Sequence, residues 1–186
     1  MAPNATLYRV DVELSDVDRS TYETLELRLA RHPSESMRYL VTRTLAYCLS
    51  YEGGIAFSKG GVSSTDEPPV FVRDGDGILR AWIEVGTPST ARVHKASKAA
   101  RRVAIYGVSE LAELRSDAAA GRIHHAADID VWTFAASFLD DLEPRFERST
   151  SLTLVRTEEQ LYVTTGGTTL ESTLVHSKLF EPATSA

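Results

Sequence analysis

A continuous apolar run from Val103 to Val108 is the sequence feature that most constrains the fold. It lies between two segments in which apolar residues recur at helical spacing, from about Thr90 to Arg101 and from Ser109 to about Ala120. A short run that is apolar throughout is typical of a strand buried on both of its faces. The pattern therefore predicts a sheet with helices packed against it.

The remaining segments extend this sheet. Residues 6–14 and 24–29 alternate between apolar and polar, which predicts a half-buried hairpin or meander. A helix is predicted over about residues 34–51, and a hairpin is predicted from strands 70–72 and 79–86. Four further strands are predicted near residues 128–135, 150–156, 160–165 and 169–176. We expect a single α/β domain over residues 1–180, with a mixed central sheet flanked by helices and antiparallel strands at both ends. Residues 181–186 are expected to form a loose tail.

Composition excludes several classes of protein. The 186 residues contain no apolar stretch of about 18 residues, so we expect no membrane span. Cys48 is the single cysteine, which excludes an internal disulfide and a zinc site made of several thiolates. We expect a cytoplasmic protein. The net charge of −6 argues against a globally basic nucleic-acid-binding surface, but a local basic groove is compatible with it.

Two acidic residues are candidates for a Mg²⁺ site. Asp66 precedes the first strand of the predicted hairpin, and Glu84 lies near the end of the second strand, among Trp82, Ile83 and Val85. A carboxylate among apolar residues is costly unless it is paired or metal-bound. We expect Asp66 and Glu84 to meet at one end of the hairpin, with the carbonyl of Val85 as a third ligand. The alternatives are an ordinary salt bridge for Glu84 and a turn-forming role for Asp66.

A basic segment follows Glu84 directly. On the helix predicted to begin near Thr90, one face carries five basic residues and no acid: His94, Lys95, Lys98, Arg101 and Arg102. The functional interpretation is attraction of phosphate groups, with a lysine that steadies charge during a reaction. The alternative is a solvated helix face that pairs with acids elsewhere.

A third group lies where a strand meets a helix. Arg31 and His32 are candidate phosphate contacts, and Glu35 is a candidate additional carboxylate for the metal. The alternative is that Glu35 complements the helix dipole while Ser34 caps the helix.

Five short stretches together resemble the YaeQ family of small bacterial proteins: Ala30-Arg31-His32-Pro33-Ser34-Glu35, Asp66-Glu67-Pro68, Trp82-Ile83-Glu84-Val85-Gly86, His94-Lys95-Ala96 and Asp130-Val131-Trp132. The resemblance covers about residues 4–178. It implies a variant of the restriction-endonuclease-like PD-(D/E)XK fold, in which an Asp and a Glu bind Mg²⁺ and a Lys two residues after the Glu helps activate water.

Carried onto this chain, the resemblance places Asp66 and Glu84 at the two acidic positions. Gly86 stands where that superfamily has its lysine, and Pro does not immediately precede Asp66. Some relatives supply the lysine from the next helix, which indicates Lys95, or alternatively Lys98. Glu35 matches the position of a further acid in some of these nucleases.

The leading hypothesis is a Mg²⁺-dependent phosphodiesterase or nuclease. Asp66 and Glu84 would bind the metal, Lys95 would activate water, and phosphate contacts would come from Lys98, Arg101, Arg102 and Arg31. The alternative is a nuclease-like fold that does not cut and binds nucleic acid or protein, which Gly86 favours. A structural interaction protein is a third possibility.

Overall fold

The structure is a computed structural model that describes residues 5–58 and 67–181. The strands in this part of the chain are β1 (Thr6–Asp16), β2 (Thr21–Arg31), β3 (Ile55–Phe57), β4 (Val70–Arg73), β5 (Leu79–Val85), β6 (Arg102–Gly107), β7 (Asp130–Phe134), β8 (Ser149–Thr157), β9 (Gln160–Thr165) and β10 (Thr168–Lys178). The helices are α1 (Met37–Leu49), α2 (Thr90–Ala99), α3 (Ala112–Ala119) and α4 (Ala136–Leu142). Short 3₁₀ turns cover Ala126–Asp128 and Glu143–Arg145.

All ten strands belong to one sheet, in the order β2-β1-β8-β9-β10-β7-β6-β5-β4-β3. Strands β5, β6 and β7 pair in parallel, and so do β1 and β8, whereas the other neighbours are antiparallel. The predicted mixed α/β sheet is confirmed. The alternation of β1 is also confirmed, because Tyr8, Val10, Val12 and Leu14 are all buried in the core.

The helices cover the two faces of the sheet. In β5, Ile83 points into an apolar cluster that contains Leu45 of α1 and Leu139 of α4. Its neighbour Trp82 points into a second cluster, with Val93 of α2 and Leu114 of α3. Successive side chains of a strand point to opposite faces, so this segment of the sheet is buried on both sides, as its apolar sequence predicts.

Several element boundaries differ from the sequence-based expectation. Helix α1 begins at Met37 rather than near residue 34, because the side chain of Ser36, and not Ser34, accepts a hydrogen bond from the Tyr39 N–H. Ser109 likewise does not cap α3, which begins after Leu111 in a left-handed conformation (φ 56°). Neither the three-residue β3 nor α4 was expected from the sequence.

The longest of these helices, α1, has 13 residues. In the described ranges, no helix is long and apolar enough to cross a membrane.

Leu45 provides a direct test of the core between α1 and the sheet. It is 0% exposed, so Leu45→Ala removes buried methyl groups and leaves a cavity. We expect the free energy of unfolding to fall by about 2–5 kcal/mol, measured by urea denaturation. Leu7→Ala is the matched control, because Leu7 is 60% exposed, and it should change stability by less than about 0.5 kcal/mol. Equal losses in the two variants would contradict this assignment of the core.

Candidate functional site

Glu84 lies one residue before the end of β5 and is 2% exposed. Its Oε1 atom accepts a hydrogen bond from Nε1–H of Trp82 at 2.6 Å and another from Nε–H of Arg92 at 2.5 Å. Arg92 lies in the first turn of α2. The expected buried carboxylate is therefore present, and the partner that offsets its charge in this structure is an arginine from the next helix.

Burial dominates the titration of this carboxyl group. It raises the pKa of Glu84 above the ordinary value, while the charge of Arg92 and the hydrogen bond from Trp82 oppose the rise. A carboxylate removed from water loses its hydration, and the guanidinium replaces only part of that loss. Ionisation of Glu84 therefore costs more free energy than ionisation of an exposed glutamate, and a second cation beside it would favour the ionised form.

Arg92 joins three parts of the chain. Besides Glu84, its Nη2–H group donates to the carbonyl oxygen of Glu67 at 2.8 Å, and its guanidinium lies 5.8 Å from the centre of the Trp82 ring. Asp66, the other predicted metal ligand, lies outside the described residues. Its chain neighbour Glu67 is linked to Glu84 through Arg92, whose guanidinium group binds both residues.

Glu35 forms a second buried ion pair. It is 1% exposed, its Oε1 atom lies 2.9 Å from Nη2 of Arg43, and its Oε2 atom accepts the His32 N–H at 3.2 Å. Burial raises the pKa of Glu35 and lowers that of Arg43. Nε–H of Arg31 donates to the carbonyl oxygen of Glu35 at 2.8 Å. Glu35 lies in the connection between β2 and α1, and Arg43 lies in α1, so the ion pair holds this connection against the helix.

Tyr39 of α1 relates the two carboxylates to each other. Its pKa is raised, first by burial and then by the charge of Glu84, with a smaller effect from Glu35 and opposing effects from Arg43 and Arg92. One phenol therefore lies within electrostatic reach of both ion pairs.

Sequence reasoning missed Tyr39, Arg43 and the role of Arg92. The available signal was the arginine eight residues after a buried acid, since such an acid requires a cation.

The basic residues after Glu84 do not lie on one helical face, contrary to expectation. Helix α2 ends at Ala99, Ala100 is extended, and Arg102 is the first residue of β6. Lys95 and Lys98 are exposed on α2, and Arg101 is exposed just beyond it. Arg102 forms a salt bridge with Glu52. The row of cations therefore continues from helix to strand, with its last member paired.

Gly86 has a backbone reason to be glycine. Its φ is +80°, in the left-handed region, although a Cβ atom there would meet no atom within 4 Å. Its N–H donates to the Tyr106 carbonyl oxygen at 2.8 Å, which closes the end of β5 against β6. A lysine at this position would strain the backbone, which is a structural reason for glycine here.

The described residues fit a divalent cation in donor type but do not complete its ligand set. Glu84 is a buried carboxylate whose charge Arg92 offsets in this structure, and the last strand residue Val85 follows it. Within residues 5–58 and 67–181 no three His, Cys, Asp or Glu side chains form a group that can hold a metal ion. A metal site at Glu84 would therefore need a ligand from outside these ranges, and Asp66 is the residue there that the sequence indicates.

Cys48 belongs to the core. It is fully buried, and burial raises the pKa of its thiol to about 12. Trp82 is likewise core, whereas Trp132 is only partly buried and stacks on the His176 ring with centroids 4.2 Å apart.

Comparison with known proteins identifies the family of this chain. The family model described as "YaeQ protein" matches residues 1–174. The chain belongs to the YaeQ family. It is 32% identical over 142 residues to proteins named "Uncharacterized protein YaeQ" from Salmonella typhi and Escherichia coli (strain K12), covering 76% of this chain and 75% of each relative.

Two solved YaeQ structures share the fold. The protein from Xanthomonas axonopodis pv. citri superposes with a TM-score of 0.82 at 24% identity, covering 94% of this chain and 98% of the other. The protein from Pseudomonas syringae gives 0.82 at 27% identity, covering 91% and 94%. These matches establish the α/β architecture of the family. The function has to be argued from the site itself.

The raised pKa of Glu84 predicts a pH dependence of stability. A carboxyl group with a raised folded-state pKa binds its proton more tightly in the folded than in the unfolded protein, so stability is lost as pH rises from the unfolded-state pKa towards the folded one. In metal-free buffer, the free energy of unfolding of the wild type minus that of Glu84→Gln should therefore be largest below about pH 4.3 and decrease above it.

Urea denaturation of both proteins in steps from about pH 4 to pH 7 measures this difference. A difference that grows with pH would show that Arg92 stabilises the ionised carboxylate by more than burial destabilises it.

Proposed function

We propose that this chain is a Mg²⁺-dependent phosphodiesterase that cleaves nucleic acid on a variant of the restriction-endonuclease-like fold. Asp66, Glu84 and the carbonyl of Val85 would hold the metal, with Glu35 as a further acid nearby. Lys95 would act on the attacking water, and Lys98, Arg101, Arg102 and Arg31 would bind the phosphate backbone.

The observation that carries this proposal is the buried carboxylate of Glu84 at the end of β5, directly beneath the start of a helix with exposed cations. Replacing a buried ion pair by apolar residues of similar volume is often neutral or stabilising, so stability alone is a weak reason for a buried carboxylate at this position. Strongly perturbed carboxyl groups cluster at functional sites. Glu84 combines such a perturbation with a phosphate-attracting neighbourhood.

Each residue has a distinct task in this proposal. Exposed Lys98 and Arg101 attract the phosphate backbone from solution. Lys95 lies on α2 three residues after Arg92, so the two residues share one side of the helix. Arg92 keeps Glu84 oriented through the bond from Nε to Oε1. A bound Mg²⁺ would lower the pKa of a water and stabilise charge on the phosphate.

A second candidate function is favoured by the pair itself. The guanidinium of Arg92 already supplies a positive charge to Glu84 at 2.5 Å, and position 86 has no ammonium group. In this second function, the arginine would take the place of the metal, and the protein would bind nucleic acid without cutting it. The first function requires Glu84 for cleavage of the substrate. The second function involves no cleavage, so Glu84 would affect binding at most.

Hydrolysis tests the first function. Labelled single- and double-stranded DNA and RNA are incubated with the wild type and Mg²⁺ or Mn²⁺, and product is followed on denaturing gels. Glu84→Gln and Asp66→Asn should each slow cleavage by about a hundredfold or more, because each removes a charge that holds the metal. Glu26→Gln on β2 is the matched control, since Glu26 is exposed at the far edge of the sheet. Cleavage that Glu84→Gln leaves unchanged would remove Glu84 from the site.

Salt-dependent binding tests the nucleic-acid surface separately from cleavage. In EDTA, the logarithm of the affinity for a labelled duplex should fall linearly with the logarithm of salt concentration, and Lys98→Gln should reduce that slope by about one unit. Arg28→Gln, a change of an exposed cation on β2, should leave the slope unchanged. Fluorescence anisotropy gives both slopes. Salt-dependent binding without any cleavage would favour the non-cutting module, and the absence of both would exclude both functions.

A further inference from the structure

A separate cavity lies at the opposite end of α2 from Glu84. It has a volume of about 310 Å³ and is lined by side chains that include Ser97, Arg101, His124, His125 and Asp128. Arg92 is in the first turn of α2 and Ser97 is near its end, so the two sites are at opposite ends of a helix about 15 Å long. The hydrolysis proposal uses Arg101 as a contact of the phosphate backbone, but it uses neither histidine of this cavity.

Basic groups from two segments converge on this cavity. The ring centroids of His124 and His125 are 4.0 Å apart. The pKa of His124 is lowered, first by burial and then by the charges of His125, Lys98 and His94, so all three lie within electrostatic reach of its ring. Arg101 adds a guanidinium from the α2–β6 connection. The lining therefore carries several N–H donors in an otherwise acidic protein.

A single carboxylate in the lining offsets part of this charge. Oδ2 of Asp128 lies 3.3 Å from Nδ1 of His125, so this acid is engaged by its neighbour. Lys98 and Arg101 form no salt bridge with any carboxylate in the described ranges. Arg101 thus brings to the concave surface a positive charge that no carboxylate in these ranges pairs with, and a bound anion would neutralise it.

The local backbone holds the histidine pair in place. His125 has φ 47°, in the left-handed region that a non-glycine side chain enters at a cost, and a 3₁₀ turn follows it over Ala126–Asp128. Ile123, Ala126 and Ile129 are buried in the cluster beneath α2 and α3, which anchors the segment on both sides of the histidines. The two rings are thereby presented at the cavity by a segment fixed to the core.

We propose that this cavity binds a phosphate monoester dianion. Phosphate offers several acceptor oxygens, which match the N–H donors of a guanidinium fork and two imidazole rings. The volume is at the lower end of the range for small-molecule sites, so a phosphate with an attached sugar or a strand end fits better than a large ligand. The proposal does not depend on hydrolysis at Glu84.

Isothermal titration calorimetry with inorganic phosphate, at constant ionic strength in chloride, tests the site. The wild type should bind phosphate in a saturable way, and His124→Gln and Arg101→Gln should each weaken binding at least tenfold. His124 is exposed, so its replacement should leave the fold intact. Arg122→Gln is the matched control, since Arg122 is an exposed cation that pairs with Asp117 and does not line the cavity. The absence of saturable binding, or equal binding in the wild type and His124→Gln, would overturn the proposal.

A second arm distinguishes a free phosphate ester from a strand end. Two oligonucleotides of identical sequence, one with a 5′-phosphate and one with a 5′-hydroxyl, are titrated against wild type and His124→Gln. Tighter binding of the phosphorylated strand that disappears in His124→Gln would identify a strand end. Phosphate binding with no difference between the two strands would identify a small phosphate ester. Glu84→Gln tests hydrolysis alone, so phosphate binding in that variant separates failure of this proposal from failure of the nuclease proposal.

Discussion

The parallel pairing of β5, β6 and β7 is the constraint on which both sites depend. Two neighbouring parallel strands need a crossover connection, and here α2 and α3 provide the two crossovers on one face of the sheet. Helix α2 must therefore begin close to the end of β5 and end close to the start of β6. The first requirement brings Arg92 to Glu84, and the second brings Arg101 to the cavity beside His124.

Charge burial is concentrated at one end of this arrangement. Glu84 and Glu35 are both almost completely buried, each against an arginine, and both have raised pKa values. A buried pair loses more hydration than a surface pair, and its two members depend on each other for compensation. The two pairs also differ in their surroundings. Arg43 is as buried as Glu35, whereas the Arg92 side chain is 20% exposed and reaches the segment next to Asp66. Of the two pairs, the Glu84–Arg92 pair is thus the one with a partly exposed member.

The elements that the sequence predicted well are those with a strong local pattern. Strand β1 alternates along its whole length, β6 is an apolar run, and the Asp74–Gly77 turn joins β4 to β5. The elements it predicted poorly lack such a pattern. Strand β3 has three residues, too few to show a period, and α4 has no side-chain cap. The N-terminal cap of α1 was placed two residues early, because Ser34 and Ser36 are equally good caps and only the contact of Ser36 with Tyr39 decides between them.

The sequence by itself determined the alternation of strands and helices, the burial of Glu84 and the presence of cations in the segment that follows it, because each depends on residues close together in the chain. Only the tertiary structure decided which cation contacts Glu84, that Glu35 is paired with Arg43, and that two adjacent histidines face the end of α2. Those contacts join elements that are far apart in the chain or depend on where a helix ends. Their partners are selected by the packing of α1, α2 and the 124–128 segment on a common sheet.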